Sequence, residues 1–177
     1  MKPGIIVMSE LHGELAERVH AVQQRFDPRM AAELPPHITI SGSSGMGPIS
    51  PDTTDEELRA ALARVAESTA PFPVQFEPPM RFMQSLVVVM NVDPNGPIRA
   101  LHERIKSSGL AYESPRFTFT PHCTLSFYPE LSREQLRELL RFRIEGPVTV
   151  DSIQAYRAVT LTRTKKVVDL PLTGSTS

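Results

Sequence analysis

Cysteine is all but missing from this chain of 177 residues, with Cys123 the only one. One thiol cannot close an intramolecular disulfide, which excludes the disulfide-stapled secreted scaffolds and makes a reducing compartment the simpler expectation. Long apolar runs are missing as well: the aliphatic stretch Leu86 to Met90 is far shorter than the roughly 20 residues a spanning helix needs, so no membrane partner is expected. Near the N-terminus only Lys2 precedes the short run Ile5 to Met8, too brief for a signal-peptide core, and no small-residue cleavage site follows. The cytoplasm is therefore the expected location. Charge of one sign is also lacking, because 19 basic and 20 acidic side chains leave a net charge of −1 and no general case for coating nucleic acid. What is there, 40% apolar and 22% charged positions, is the composition of one globular domain able to bury a core.

The near-zero sum hides an uneven distribution. Residues 1–113 hold 10 basic and 14 acidic side chains, whereas residues 114–166 hold 9 basic against 5 acidic. The second part suits an anionic ligand, although the arginines from Arg133 to Arg143 read more simply as the solvated face of a helix.

Gly4 to Met8 is patterned as a buried strand, and Leu15, Val19, Val22 and Phe26 recur at helical spacing after it. Pro28, Pro35 and Pro36 are expected to end that helix and force an extended approach to His37-Ile38-Thr39-Ile40-Ser41, which alternates with period two. Thr54 and Glu57 form a capping box ahead of Leu58, Leu62 and Val65, and Phe72 to Phe76 is extended. The order then repeats: an apolar strand Leu86 to Met90, a helix striped by Ile98, Leu101 and Ile105 after Asn95-Gly96-Pro97, and the alternating His122 to Ser126. A further helix opens at Ser132 with Gln135 three residues on and Leu131 placed to staple against Leu136. Residues 148–172 form a closing hairpin with its polar turn at Thr162 to Lys166, and residues 174–177 a frayed tail. The expected fold class is α+β, a single bilobal domain over residues 1–173. Two pseudo-symmetric β-α-β lobes divide near residues 78–80, with mixed, largely antiparallel sheets lining a central cleft and helices outside. The glycine-rich stretch Gly42 to Gly47 lacks the lysine of a phosphate-binding P-loop and reads as a loop.

A histidine followed two residues later by a hydroxyl is common in a chain with 28 serines and threonines. A duplicated hexamer is not: Pro36-His37-Ile38-Thr39-Ile40-Ser41 and Pro121-His122-Cys123-Thr124-Leu125-Ser126 share Pro, His, Thr and Ser and are apolar at both other places. On a strand, residues i and i+2 share a face, so His37 projects with Thr39 and His122 with Thr124 while the apolar residues pack behind. If an approximate twofold axis relates the halves, two imidazoles flank one cleft, which suits in-line displacement at phosphorus. One removes a proton from the attacking oxygen, the other protonates the leaving oxygen, and the threonine hydroxyls hold the charge that develops on the non-bridging oxygens. The symmetry leaves open which histidine does which; the weaker expectation has His122 as base and His37 as acid. His12, His20 and His102 read as structural or solvated. Neither hexamer contains a carboxylate and Cys123 alternates away from His122, so no metal and no cofactor is expected.

In these hexamers the chain resembles the two-histidine phosphoesterases, the family of bacterial 2′-5′ RNA ligase-like proteins and cyclic nucleotide phosphodiesterases. The resemblance takes in the N-terminal strand, Leu86 to Met90 and the closing Leu170-Pro171-Leu172. It implies a metal-independent enzyme with His37, Thr39, His122 and Thr124 as the catalytic set, hydrolysing 2′,3′-cyclic phosphates of nucleotides or RNA ends. The alternatives are a 2′-5′ RNA ligase or phosphodiesterase and a binding module without turnover, which would have no need of two proton-transfer groups. The expected partner is a nucleotide or RNA terminus, with no obligate protein partner. The Ser/Gly loop after Ser41 and the aromatic pair Phe127-Tyr128 after Ser126 depart from the family pattern and bear on substrate identity. Phe82, Tyr128 and Tyr156, with Phe127, are candidates to stack a base, and Arg157 is a candidate phosphate partner.

Overall fold

Each half of the chain lays its hexamer strand antiparallel to an apolar strand that precedes it. The computed structural model describes residues 4–82, 85–160 and 163–176. β1 (Ile5–Glu10) leads through α1 (Gly13–Phe26) to β2 (His37–Ser41), and α3 (Asp55–Glu67) follows. In the second half β5 (Val88–Asn91), α4 (Pro97–Lys106), β6 (His122–Ser126) and α5 (Arg133–Leu139) repeat the sequence. The capping boxes form as expected: Thr54 with Glu57 opens α3, and Ser132 with Gln135 opens α5.

Pro28 does not simply stop α1. It starts a one-and-a-half-turn helix, α2 (Pro28–Glu33), because proline is tolerated at a first helical position and the side chain of Asp27 caps it, accepting from the Met30 amide at 3.1 Å. Near the second hexamer the apolar run is shorter than its sequence suggests: Leu86 lies outside β5 and is 48% exposed.

Three sheets result, with strand orders β2-β1-β8-β9, β4-β5-β6 and β3-β7, where β3 is Phe72–Val74, β4 Met80–Arg81, β7 Val148–Val150, β8 Ser152–Ala158 and β9 Thr164–Pro171. Every named strand pair is antiparallel. The single strand expected from residue 148 is two: β7 pairs with β3, and β8 then joins β1. Lys165 and Lys166, expected in the hairpin turn, belong to β9, while Leu161 and Thr162 lie outside the described residues. Gly174 is tied down by a backbone bond to the Thr69 carbonyl, and Ser177 lies outside the described residues. No helix is long and apolar enough to cross a membrane, among the described residues.

The halves interlock. α1 packs on β6 and α4 on β2, each helix covering the hexamer strand of the other half. Gln23 of α1 donates to the Thr124 carbonyl at 2.8 Å, and the His102 ring of α4 meets the Ile40 carbonyl at 2.8 Å. Ile38, Ile40, Cys123 and Leu125, the alternate residues of the hexamers, are all fully buried in one core. That burial turns His37, Thr39, His122 and Thr124 to the other face.

Candidate active site

β2 and β6 lie against each other where the two sheets meet. Both show the same alternation of burial, with histidine and threonine partly exposed and the residues between them buried. The pairing is duplicated in detail. His37 faces Glu10 and Thr39 faces Met8 across β1–β2, while His122 faces Asn91 and Thr124 faces Val89 across β5–β6. Each ladder carries an irregularity at the next step, between Val7 and Met8 and between Val88 and Val89.

The imidazoles are fixed in the same way. Nδ1 of His37 lies 2.7 Å from the Pro35 carbonyl and Nδ1 of His122 lies 2.7 Å from the Thr120 carbonyl. A carbonyl only accepts, so Nδ1 carries the hydrogen in both rings, and in the neutral form Nε2 is left with a lone pair. Burial lowers the pKa of both histidines from 6.5, opposed in each by the carbonyl at Nδ1. His37 is also pushed down by His122 and pushed up by Glu10. The hydroxyls of Thr39 and Thr124 have no hydrogen-bond partner in the protein among the described residues, which leaves them free to donate to a ligand.

A cavity of about 370 Å³ opens beside the second hexamer, lined by Ser43, Ser44, Phe82, Ser85, Val87, Arg116, Phe117, Phe127, His122 and Thr124. The ring of Phe82 lies 4.7 Å from that of His122. Phe117 and Phe127 are 45% and 54% exposed, and uncovered rings of this kind are the ones a ligand can stack on.

Of the residues expected to bind substrate, Phe82 is in this cavity. Tyr128 is turned away, its hydroxyl donating to Glu33 at 2.5 Å and its ring lying under Arg29, 3.9 Å away; its neighbour Phe127 takes the place in the cavity wall. Asp27 fixes that choice by accepting from the amides of Phe127 and Tyr128 at 2.6 and 2.8 Å. Tyr156 shares the face of His37 but is buried, with its hydroxyl donating to Glu10 at 2.6 Å. Arg157 is consumed elsewhere, donating to Asp55 at 2.8 Å and to the carbonyls of Pro51 and Thr53. Successive strand residues point to opposite faces, so Tyr156 and Arg157 could not both face the cleft.

The Ser/Gly loop after Ser41 does border the cavity, through Ser43 and Ser44, while sequence reasoning missed Arg116 and Phe117 as lining residues. They meet because the loop after β2 pairs with the segment before β6, Gly45 donating to the Phe117 carbonyl and Arg116 to that of Ser43, both at 2.8 Å. Gly45 is required there: its φ is +77°, and a Cβ would stand 2.3 Å from Cε1 of His102, which stacks on Phe119 beneath the loop. The one legible signal for Arg116 is its position, six residues before His122.

Residues 11–160 match the sequence model of the 2′-5′ RNA ligase superfamily. A Geobacillus kaustophilus protein assigned as a phosphoesterase is 30% identical over 130 residues, 71% of this chain and 68% of its own. Among solved structures, TT0787 of Thermus thermophilus superposes with a TM-score of 0.64 at 15% identity, covering 99% of this chain and all of its own. Escherichia coli LigT in complex with 3′-AMP gives a TM-score of 0.59 at 18% identity, covering 98% and 99% of the two chains.

Proposed function

Because the chain belongs to the 2′-5′ RNA ligase superfamily, a family of phosphoesterases, we propose that it hydrolyses 2′,3′-cyclic phosphates of nucleotides or RNA ends by two-histidine acid–base catalysis. The observation that carries this reading is the duplicated presentation of two imidazoles, each with Nδ1 held by a carbonyl two residues upstream. A site that only bound phosphate would gain nothing from two proton-transfer groups set in one tautomer.

The reaction follows from the arrangement. The neutral imidazole takes the proton of water as its oxygen bonds to phosphorus, the ester bond to one ribose oxygen breaks, and the imidazolium on the other side protonates that oxygen. Thr39 and Thr124 donate to the non-bridging oxygens, whose charge grows in the transition state. The nucleoside lies in the aromatic cavity beside His122, with a base against Phe82, Phe117 or Phe127 and Arg116 at hand for a neighbouring phosphate. LigT, with the same fold, has been captured with 3′-AMP, which supports a nucleotide as ligand.

The test is incubation with the four nucleoside 2′,3′-cyclic monophosphates in EDTA, followed by phosphorus NMR. Conversion to a single 2′- or 3′-monophosphate is the expected result. No conversion, or conversion only after zinc or magnesium is restored, would overturn the reading.

A further inference from the structure

His102 sits between the chain that leaves the first hexamer and the chain that enters the second. It belongs to α4, which packs on β2, and is 2% exposed; its Nδ1 donates to the Ile40 carbonyl at 2.8 Å, one residue beyond Thr39. Its ring stacks on Phe119, three residues before His122, with the centroids 3.9 Å apart. The loop after β2 rests on the remaining edge: a Cβ on Gly45 would stand 2.3 Å from Cε1 and 2.5 Å from Nε2. Nε2 has no hydrogen-bond partner in the protein, among the described residues. What rests on the ring is one wall of the substrate cavity. The Ser43 carbonyl accepts from the amides of Arg116 and Phe117 at 2.8 and 3.2 Å, and Gly45 donates to the Phe117 carbonyl at 2.8 Å, so Ser43, Ser44, Arg116 and Phe117 are joined in one piece of backbone over His102.

We propose, on the cyclic phosphate reading above, that His102 is a positioning residue for this wall: its neutral ring seats the loop 42–47 beside the cleft, and its protonation unseats the loop and weakens substrate binding while the hexamers keep their geometry. The two ring nitrogens divide these effects. Nδ1 carries a hydrogen in both protonation states, since the Ile40 carbonyl only accepts, so the bond to β2 survives protonation. Nε2 gains a hydrogen on the edge covered by Gly45, where it finds neither water nor an acceptor. Arg99 and Lys106 of α4 oppose a charge on the ring and Glu103 favours it, and the Arg99 guanidinium already lies 5.3 Å from the Phe119 ring on which His102 stacks. The loop 42–47 and residues 117–120 carry no ionisable side chain, His37 of β2 faces the opposite side of its strand, and α3, which also packs on α4, places no charge that the ring feels. Burial, opposed in part by the Ile40 carbonyl, holds the pKa below 6.5 while the loop is seated. A ring opened to water returns toward 6.5, so acid pulls the loop off.

The seat is tested first without substrate, by NMR titration of the wild-type chain from about pH 7.5 to about pH 4.5. The backbone amides of Ser43, Ser44 and Gly45 are expected to shift or broaden with the midpoint of the His102 ring. In His102→Asn a side-chain amide donates to the Ile40 carbonyl in place of Nδ1 and nothing titrates, so the loop amides should lose that response. Loop amides that stay put while His102 titrates, a His102 ring neutral over the whole range, or a response that persists in His102→Asn would each overturn the proposal.

Kinetics then separates positioning from packing. In the wild type, KM for a nucleoside 2′,3′-cyclic phosphate is expected to rise about threefold or more between about pH 7 and about pH 5 as His102 takes its proton, while kcat follows the two hexamer histidines. Protonation of His37 and His122 acts in the other direction on KM, because it attracts the anionic phosphate. His102→Asn should lose the rise, whatever its KM at neutral pH; a general loss of packing would raise KM at every pH and leave the rise in place. The same rise in wild type and variant, or none in the wild type, would overturn the proposal. Wild-type protein that turns over no cyclic phosphate would remove the functional reading instead, and the loop titration would still decide whether His102 seats the wall.

Discussion

Tyr156 occupies on the first sheet the place that Phe82 holds on the second. The tyrosine donates its hydroxyl to Glu10 at 2.6 Å, whereas the phenylalanine lays its ring against His122 at 4.7 Å. A duplicated backbone therefore presents two chemically distinct surfaces to whatever lies between the histidines. An asymmetric substrate needs that distinction, because the attacking water and the departing ribose differ in size, polarity and protonation.

Loss of either imidazole should remove most of the activity. His37→Ala and His122→Ala are each expected to reduce kcat by a factor on the order of 10² or more, the scale of a missing general acid or base. His12→Ala and His20→Ala should stay within a few-fold of wild type on the same cyclic phosphate. His102 is not a suitable control, since it is buried, bonded to the Ile40 carbonyl and packed beneath Gly45. An effect at His20 equal to that at His37 would refute the assignment of the pair.

Thr39→Val and Thr124→Val keep the shape and remove a donor. Each should cost about 3 kcal/mol of transition-state stabilisation, seen mainly in kcat, while binding of the monophosphate product changes less. Steady-state kinetics with product inhibition separates the two. Equal losses in kcat and product affinity would assign the hydroxyls to ground-state binding.

The pH profile should be a bell displaced to the acid side. Activity needs one histidine neutral and the other protonated, and burial lowers both pKa values from 6.5. A lowered pKa means the proton is lost at lower pH, so the alkaline limb begins early and the maximum of kcat/KM falls below about 6.5. A rate that keeps rising through pH 8 would contradict this.

Asp27 should matter although it lies outside the hexamers. It is 1% exposed and accepts from three amides, those of Met30, Phe127 and Tyr128. Asp27→Ala removes the acceptor of three part-buried amides and should cost roughly 2 kcal/mol of stability, seen in the denaturant midpoint. It should also raise KM more than it lowers kcat, because it frees Phe127 from the cavity wall. A variant as stable as wild type would show that water replaces the carboxylate without loss.

The two hexamer strands, the caps of α3 and α5, and the shared face of histidine and threonine in each hexamer were legible in the sequence, because period-two alternation and duplication both act over five or six neighbouring residues. The cavity was not. Its members Ser43, Ser44, Arg116 and Phe117 come from two loops that no periodicity links, joined by backbone bonds around Gly45. Arg157 was misread because a surface arginine beside a tyrosine looks alike whether its partner is a phosphate or Asp55. The helix from Pro28 is not legible from the proline alone, which ordinarily stops a helix; the preceding Asp27, as cap, makes it a start.

The crossing of α1 onto β6 and of α4 onto β2 means that neither half owns its core. Cut between residues 78 and 79, the chain would yield two fragments, each with a hexamer strand stripped of the helix that covers it. Each should be unfolded or aggregated by itself, and mixing should restore both structure and activity together. For the same reason a substitution on the inner face of either helix is felt first by the hexamer strand of the other half.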